Sequence, residues 1–295
     1  MKPKERPNAT IALSAGTPDR GTLRFSHEAM ASVFEIYCVH TDADYAAQAA
    51  QAAFDLLDRL ERAQSRFIEN SDISRINHLD AGESAPVSPW TMECLQIARH
   101  LYDLTGGMFD ISIGSGWERL ELVPDAFTVR ALVAGARLDL GGIGKGYAVD
   151  RMAELLVEWD VPHALVHGGF SSVRALTGPP DRDGWPLKLS APGDGRTLTR
   201  ISARARAFAA SGLQKGEHIQ DPRTGRPVAG REAVWVAVAA DDALDLSPAA
   251  VADALSTAFM ILPETDVAAL CTRHRELEVW LIPESGAEPL VFPSH

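Results

Sequence analysis

Apolar residues recur at helical spacing in several long stretches of the chain and alternate in shorter ones. These periods predict most of its secondary structure. Over residues 43–64, Ala46, Ala50, Ala53, Leu57 and Leu60 share one side of a 3.6-residue period, with Asp, Gln, Glu and Arg on the other, as in an amphipathic helix. Ser88-Pro89 opens a second helix, with serine suited to the N-cap and proline to the first turn. Its stripe is Trp90, Cys94, Ile97, Leu101 and Leu104, and Gly106-Gly107 stops it. Further helices are predicted over 145–159, from Pro248 through Leu262 and on to about His274, with a short one capped by Asp72 inside 65–77.

Alternation and short apolar runs mark the strands. TLRF (22–25) and SVFEIYCV (32–39) are joined by His27 to Met30. A short strand lies near Phe127 to Val129, and another at Leu138 to Leu140. ALVHGGFSSVRAL (164–176) reads as strand, glycine turn, strand, and WPLKLSA with TLTRISA as a hairpin of exposed strands. AVWVAVAA (233–240) is a buried strand and LEVWLIP a final one. Tight turns join several strand pairs although helices are interleaved. The expected fold class is therefore α+β, with mixed, largely antiparallel sheets and packed helices, rather than a doubly wound sheet. Residues 22–295 are expected to form one domain. Residues 1–21, polar and carrying Pro3, Pro7 and Pro18, read as a flexible tail.

Composition narrows the function. A net charge of −12 with no basic run argues against a nucleic-acid partner. No apolar run is long enough to span a bilayer. The first residues have neither the apolar core of a signal peptide nor a lipobox cysteine, which gives a cytoplasmic expectation, or a periplasmic one if a leader has been removed. Cys38, Cys94 and Cys271 are odd in number and widely spaced, so they read as buried thiols rather than a metal or redox motif.

Four stretches offer chemistry. The first, Leu138-Asp139-Leu140-Gly141-Gly142-Ile143-Gly144-Lys145-Gly146-Tyr147, is a glycine turn entering a helix, where backbone N–H groups and the Lys145 ammonium suit a phosphate. It fails the dinucleotide fingerprint at Tyr147 and the P-loop pattern at Gly146, and a glycine connection without a ligand is the alternative. In the second, Asp253 and Thr257 lie four apart on a helix and share a face. These hard oxygen donors suit Mg²⁺ or Ca²⁺; the bland reading is a buried aspartate bonded to a loop, with Thr257 bonded to its own i−4 carbonyl. The third, His218-Ile219-Gln220-Asp221-Pro222-Arg223-Thr224-Gly225, is a tight turn preceded by a histidine with a pKa suited to a general base. The fourth, Thr105-Gly106-Gly107-Met108-Phe109-Asp110, is by itself an ordinary helix C-cap.

Taken in order with Met30-Ala31-Ser32 and SRFIENSDISRIN (65–77), these stretches resemble the ApbE-type FAD:protein FMN transferase (flavin transferase) family over about Met30 to Leu262. The resemblance implies a T-fold-related architecture with an FAD site in a central cleft. It implies Mg²⁺ as cofactor, FAD as substrate and a target protein whose Ser or Thr receives FMN through a phosphoester as AMP leaves. Some members instead hydrolyse FAD to FMN and AMP, and a flavin-binding member without catalysis is a further alternative. By the same resemblance Met30, Phe67, Met108, Phe109, Asp110, Asp139, Lys145 and Ile219 line the FAD site. Asp253, Thr257 and the Gly142 carbonyl hold the metal, and His218 deprotonates the acceptor.

The chain also departs from the family pattern. The segments after Asp110 and after Gly212 are short, Ala210 stands where a threonine is usual, His167 replaces an asparagine and Phe170 a small polar residue.

Overall fold

The computed structural model describes residues 10–13, 21–191, 195–213, 219–240, 246–284 and 288–293. In chain order the elements are β1 (Thr10–Leu13), β2 (Thr22–Ala29), β3 (Ser32–Val39), α1 (Ala43–Gln64), α2 (Asp72–Ile76), β4 (Ser84–Pro86) and α3 (Pro89–Leu104). Then come β5 (Leu120–Val123), β6 (Thr128–Ala131), α4 (Gly144–Glu158), β7 (Ala164–Gly168), β8 (Ser172–Ala175), β9 (Trp185–Ser190) and β10 (Thr197–Ala203). The chain closes with β11 (Arg206–Gly212), β12 (Arg231–Ala239), α5 (Pro248–Ala258), α6 (Glu264–Arg273), β13 (Leu277–Pro283) and β14 (Leu290–Phe292).

An eight-stranded sheet in the order β14-β13-β12-β11-β8-β7-β3-β2 forms the centre. Every strand pair among the described residues is antiparallel. Period-two alternation gives the sheet two apolar faces. Phe34, Ile36, Val166, Ala207, Ala209, Val234 and Val236 face the helices, in one core with Leu57, Val149 and Leu255. Leu165, Val173, Phe208, Trp235 and Trp280 face the other way, in a second core with Trp185, Leu187 and Leu189 of β9. The sheet β1-β9-β10 therefore covers the second face, and a small sheet β4-β6-β5 stands apart.

The α+β class is as expected, with sharper local detail. β2 runs on to Ala29, so the turn into β3 is only Met30-Ala31, both at positive φ (51° and 53°), the conformation a two-residue hairpin demands. Helix α2 is capped by Ser71, whose side chain accepts the Ser74 N–H. Asp72, the expected cap, instead accepts the Ser88 N–H at 2.8 Å and so ties α2 to the start of α3. Ser88 caps α3 as anticipated, a contact typically worth about 1 kcal/mol.

The β9–β10 hairpin exists, but β9 is buried between β1 and β10 rather than exposed, and Thr10–Leu13, from the expected tail, supplies that covering strand. Leu138 to Leu140 is not a strand. The Asn77 side chain accepts the Leu138 N–H at 2.6 Å and donates to its carbonyl at 3.0 Å, while the Asp139 N–H reaches the Ile111 carbonyl at 2.8 Å. Backbone groups satisfied by a side chain and a loop need no ladder. Helix α5 ends at Ala258 rather than Leu262, and β14 follows the strand expected to be last.

Residues 40–163 form one long excursion between β3 and β7, which pair directly. It returns through the glycine turn into α4, and this brings that turn beside α5 and the end of β11.

Candidate functional site

Helices α4 and α5 pack so closely that one residue between them must be glycine. A Cβ at Gly146 would lie 2.1 Å from the Ala249 carbonyl oxygen and 2.8 Å from the Asp253 Cβ, distances no side chain tolerates. Neither helix caps itself with a side chain. Each borrows a carboxylate from the other: Asp253 of α5 accepts the Gly146 N–H at 3.0 Å, and Asp150 of α4 accepts the N–H groups of Ala249 and Ala250 at 2.8 and 2.9 Å. A negative group at a helix N-terminus also meets the positive end of the helix dipole. Burial pushes the Asp150 carboxyl up to about 7, against the pull of Arg174 and of the backbone donors.

Asp253 is 3% exposed and borders a cleft of about 700 Å³, within the ~300–1,000 Å³ typical of cofactor sites. Its Oδ2 lies 3.8 Å from the Lys145 Nζ, which also donates to the Gly141 carbonyl at 3.4 Å. One turn on, the Thr257 hydroxyl meets the Ser211 Oγ at 3.2 Å and the Asp253 carbonyl at 3.4 Å; Ser211 also contacts Ser256 at 2.8 Å. Gly142 abuts this group, since a Cβ there would sit 3.5 Å from the Thr257 Oγ1 and 3.2 Å from the Phe109 ring. The structural and chemical readings of Asp253 and Thr257 are thus compatible: one carboxylate oxygen caps a helix while the pair still lines the cleft.

Around this corner the cleft brings together Met108, Phe109, Asp110, Asp139, Gly142, Lys145, Ile219, Asp253 and Thr257, nine of the residues singled out from the sequence. Asp110 is held by the Ser112 N–H and hydroxyl at 2.8 and 2.6 Å and by the Gly114 N–H at 3.2 Å. Asp139 accepts the Gly141 N–H at 2.9 Å and pairs with the Arg66 Nε at 3.0 Å. Asp-Pro-Arg-Thr-Gly is the tight turn expected: Asp221 accepts the Arg223 backbone N–H and its guanidinium, and the Arg223 side chain holds its carboxyl below the usual range.

Met30 and Phe67 stand outside the cleft lining. The Met30 N–H donates to Glu61, and its side chain packs against the core. Phe67 is 81% exposed under the Arg66 guanidinium, and Arg66 itself reaches the cleft. His218 lies outside the described residues.

Sequence reasoning did not single out Arg66, Ile113 or Ser211 as site residues. Ser211 had a signal: the period of two from Ala207 and Ala209, both in the helix-side core, puts it on the face toward α5. Arg66 and Ile113 are loop residues with no periodic signature.

Among the described residues, the lining carries four carboxylates (Asp110, Asp139, Asp221, Asp253) against two cations, Arg66 and Lys145. Among the described residues no three His, Cys, Asp or Glu side chains cluster as a metal cage. The donors at the α4–α5 corner are one carboxylate, hydroxyls and backbone, a hard-oxygen set. It fits a cation that keeps water and ligand oxygens around it, and it does not fit a soft metal. No helix among the described residues is long and apolar enough to cross a membrane. All three cysteines are free and buried.

Known proteins are similar to this chain in sequence and fold. The FAD:protein FMN transferase of Vibrio cholerae serotype O1 is 27% identical over 250 residues, which cover 71% of this chain and 72% of that protein. The Salmonella typhimurium FAD:protein FMN transferase is 25% identical over an alignment covering 96% of this chain and 88% of its own length. Among solved structures, the flavin transferase ApbE from Vibrio cholerae superimposes with a TM-score of 0.79 at 22% identity, covering 92% of this chain and 96% of that one. The ApbE protein from Thermotoga maritima gives 0.78 at 22% identity, covering 90% and 96%. The fold is therefore theirs. The ApbE family model matches residues 30–281, and the chain belongs to the ApbE family.

Proposed function

We propose that this protein transfers FMN from FAD to a Ser or Thr hydroxyl of a target protein, releasing AMP, with Mg²⁺ held at the α4–α5 corner. The observation that carries the reading is the convergence of Asp253, Thr257, Gly142 and Lys145 on one end of a cleft of cofactor size. The names of its relatives supply the reaction class.

The residues divide the work. A diphosphate entering a cleft whose described lining has more carboxylates than cations needs its charge offset, and Lys145, pinned between Asp253 and the Gly141 carbonyl, presents one ammonium there. Asp253 and Thr257, with the Gly142 carbonyl, would hold Mg²⁺, which when bound neutralises phosphate oxygens and favours departure of AMP. Met108, Phe109 and Ile219 form apolar walls for the flavin dinucleotide, and Asp110 and Asp139 offer acceptors. In the transfer, the acceptor oxygen bonds to the phosphorus of the FMN half, and the bond from that phosphorus to the bridging oxygen breaks. The hydroxyl proton passes to a base, the role assigned to His218.

The test is incubation with FAD, Mg²⁺ and a panel of Ser- and Thr-containing acceptor peptides, followed by mass spectrometry. An FMN phosphoester on a peptide is expected. Release of free FMN and AMP without peptide labelling would make the protein an FAD hydrolase, and neither product would refute both enzymatic readings.

A further inference from the structure

Close to the helix corner, the cleft lining carries an aromatic residue in a conformation that aromatic residues avoid. Phe170 has φ 58°, follows Gly169 at φ 60°, and is nonetheless 47% exposed within the cleft lining. A bulky residue in the left-handed region is a genuine outlier and costs stability unless its surroundings hold it there. An exposed side chain returns little burial energy to offset that cost.

The surroundings do hold it. The turn between β7 and β8 is pinned on both sides: the Gly169 N–H donates to the Val33 carbonyl at 3.0 Å, and the Ala210 N–H to the Ser171 carbonyl at 2.8 Å. A side chain at Gly169 would collide with the Ser32 Oγ, so the turn is pressed against the β2–β3 end of the sheet. Beneath the ring lies His167, edge to face at 5.1 Å between centroids and 75°. His167 is buried, with its Nδ1 3.7 Å from the Glu35 Oε2, and Glu35 is itself fixed by Arg24 and by the Tyr37 hydroxyl at 3.0 Å. A buried polar stack thus supports one strained, half-exposed phenyl ring beside the Lys145 stem, whose Cδ lies 3.6 Å from where a Gly169 Cβ would be.

We propose that Phe170 is a binding platform on which a planar ring of the dinucleotide stacks. This rests on the cleft being an FAD site. Stacking on an aromatic side chain needs only an accessible π face, which this geometry supplies.

Phe170→Gly keeps the turn, since glycine takes positive φ without strain, and removes the ring. FAD binding, followed by titration calorimetry, is expected to weaken roughly tenfold or more, while the melting temperature stays level or rises. Phe170→Tyr should bind as the parent does. FMN and AMP titrated separately identify the ring: a loss confined to FMN indicates the isoalloxazine, and a loss confined to AMP the adenine. If the parent binds FAD and Phe170→Gly binds it within twofold, or if neither half-ligand loses affinity, the platform is wrong. If the parent binds no FAD, the reading of the cleft falls and the platform with it.

Discussion

The helix wall and the loop wall of the cleft are built on opposite principles. The α4–α5 wall is dense and interlocked: Gly146 admits no side chain, two aspartates exchange helix caps, and Asp253 is nearly inaccessible. The loop part of the lining is different, with Ile113 and Phe170 at positive φ and both about half exposed. One wall spends its residues on fixed geometry, and the other holds apolar surface in strained backbone. Placement of charge for phosphate chemistry needs the first kind of wall, whereas a large planar ligand is served by the second.

This contrast can be broken by experiment. The largest effect belongs to Asp150. Its carboxyl rises from 3.8 to about 7 on folding, so the folded state holds the proton more tightly than the unfolded one. Stability is then greatest below pH 4 with respect to this group and is lost as pH climbs through 7, by about 4 kcal/mol in full. Asp150→Asn should flatten denaturant-derived stability across pH 4–7; an unchanged slope would show that Asp150 is not its source. Next is Asp253→Asn, which keeps an acceptor for the Gly146 N–H but removes the charge. Turnover of FAD should fall by ~10²–10³ with little change in melting temperature. Activity surviving at ordinary Mg²⁺ concentrations would remove Asp253 from the metal assignment. Gly146→Ala should destabilise by about 3 kcal/mol through overpacking, measured by urea unfolding. On the other wall the sign reverses: Ile113→Gly should stabilise by ~1 kcal/mol as backbone strain is relieved. Smallest is Arg66→Ala. The Arg66–Asp139 pair is partly exposed, so its loss should cost less than ~1 kcal/mol of stability by urea unfolding.

The dense wall was the more legible in sequence. Its residues lie in helices, where a spacing of four puts Asp253 beside Thr257 and a glycine run marks a close approach, so local pattern carries tertiary meaning. Asp150 lies just past the glycine motif and carries no local signal; that it caps a helix about 100 residues away depends on packing that no local period reports. The sheet was legible from alternation, except where β9 gained a second neighbour and where Asn77 took over the backbone of Leu138. Both are long-range pairings. The loop wall was legible mainly through family resemblance, which reached Met108, Phe109, Asp110 and Ile219 but not Arg66 or Ile113. Positive φ at isoleucine or phenylalanine contradicts local preference, and a reading built on preference cannot anticipate it.

The exchanged caps have a consequence for how such chains change over time. Asp253 answers to two demands, holding α4 against α5 and facing the ligand, and only the second concerns turnover. A descendant that had abandoned chemistry would still be penalised for losing a side-chain acceptor here, because α4 would lose a cap supplied by no residue of its own. Persistence of an acceptor there, aspartate or asparagine, therefore testifies to the architecture first, and only the charge speaks for chemistry. An inactive descendant would be betrayed sooner by drift at Thr257, Lys145 or the strained loop residues, whose retention the helix pair does not enforce.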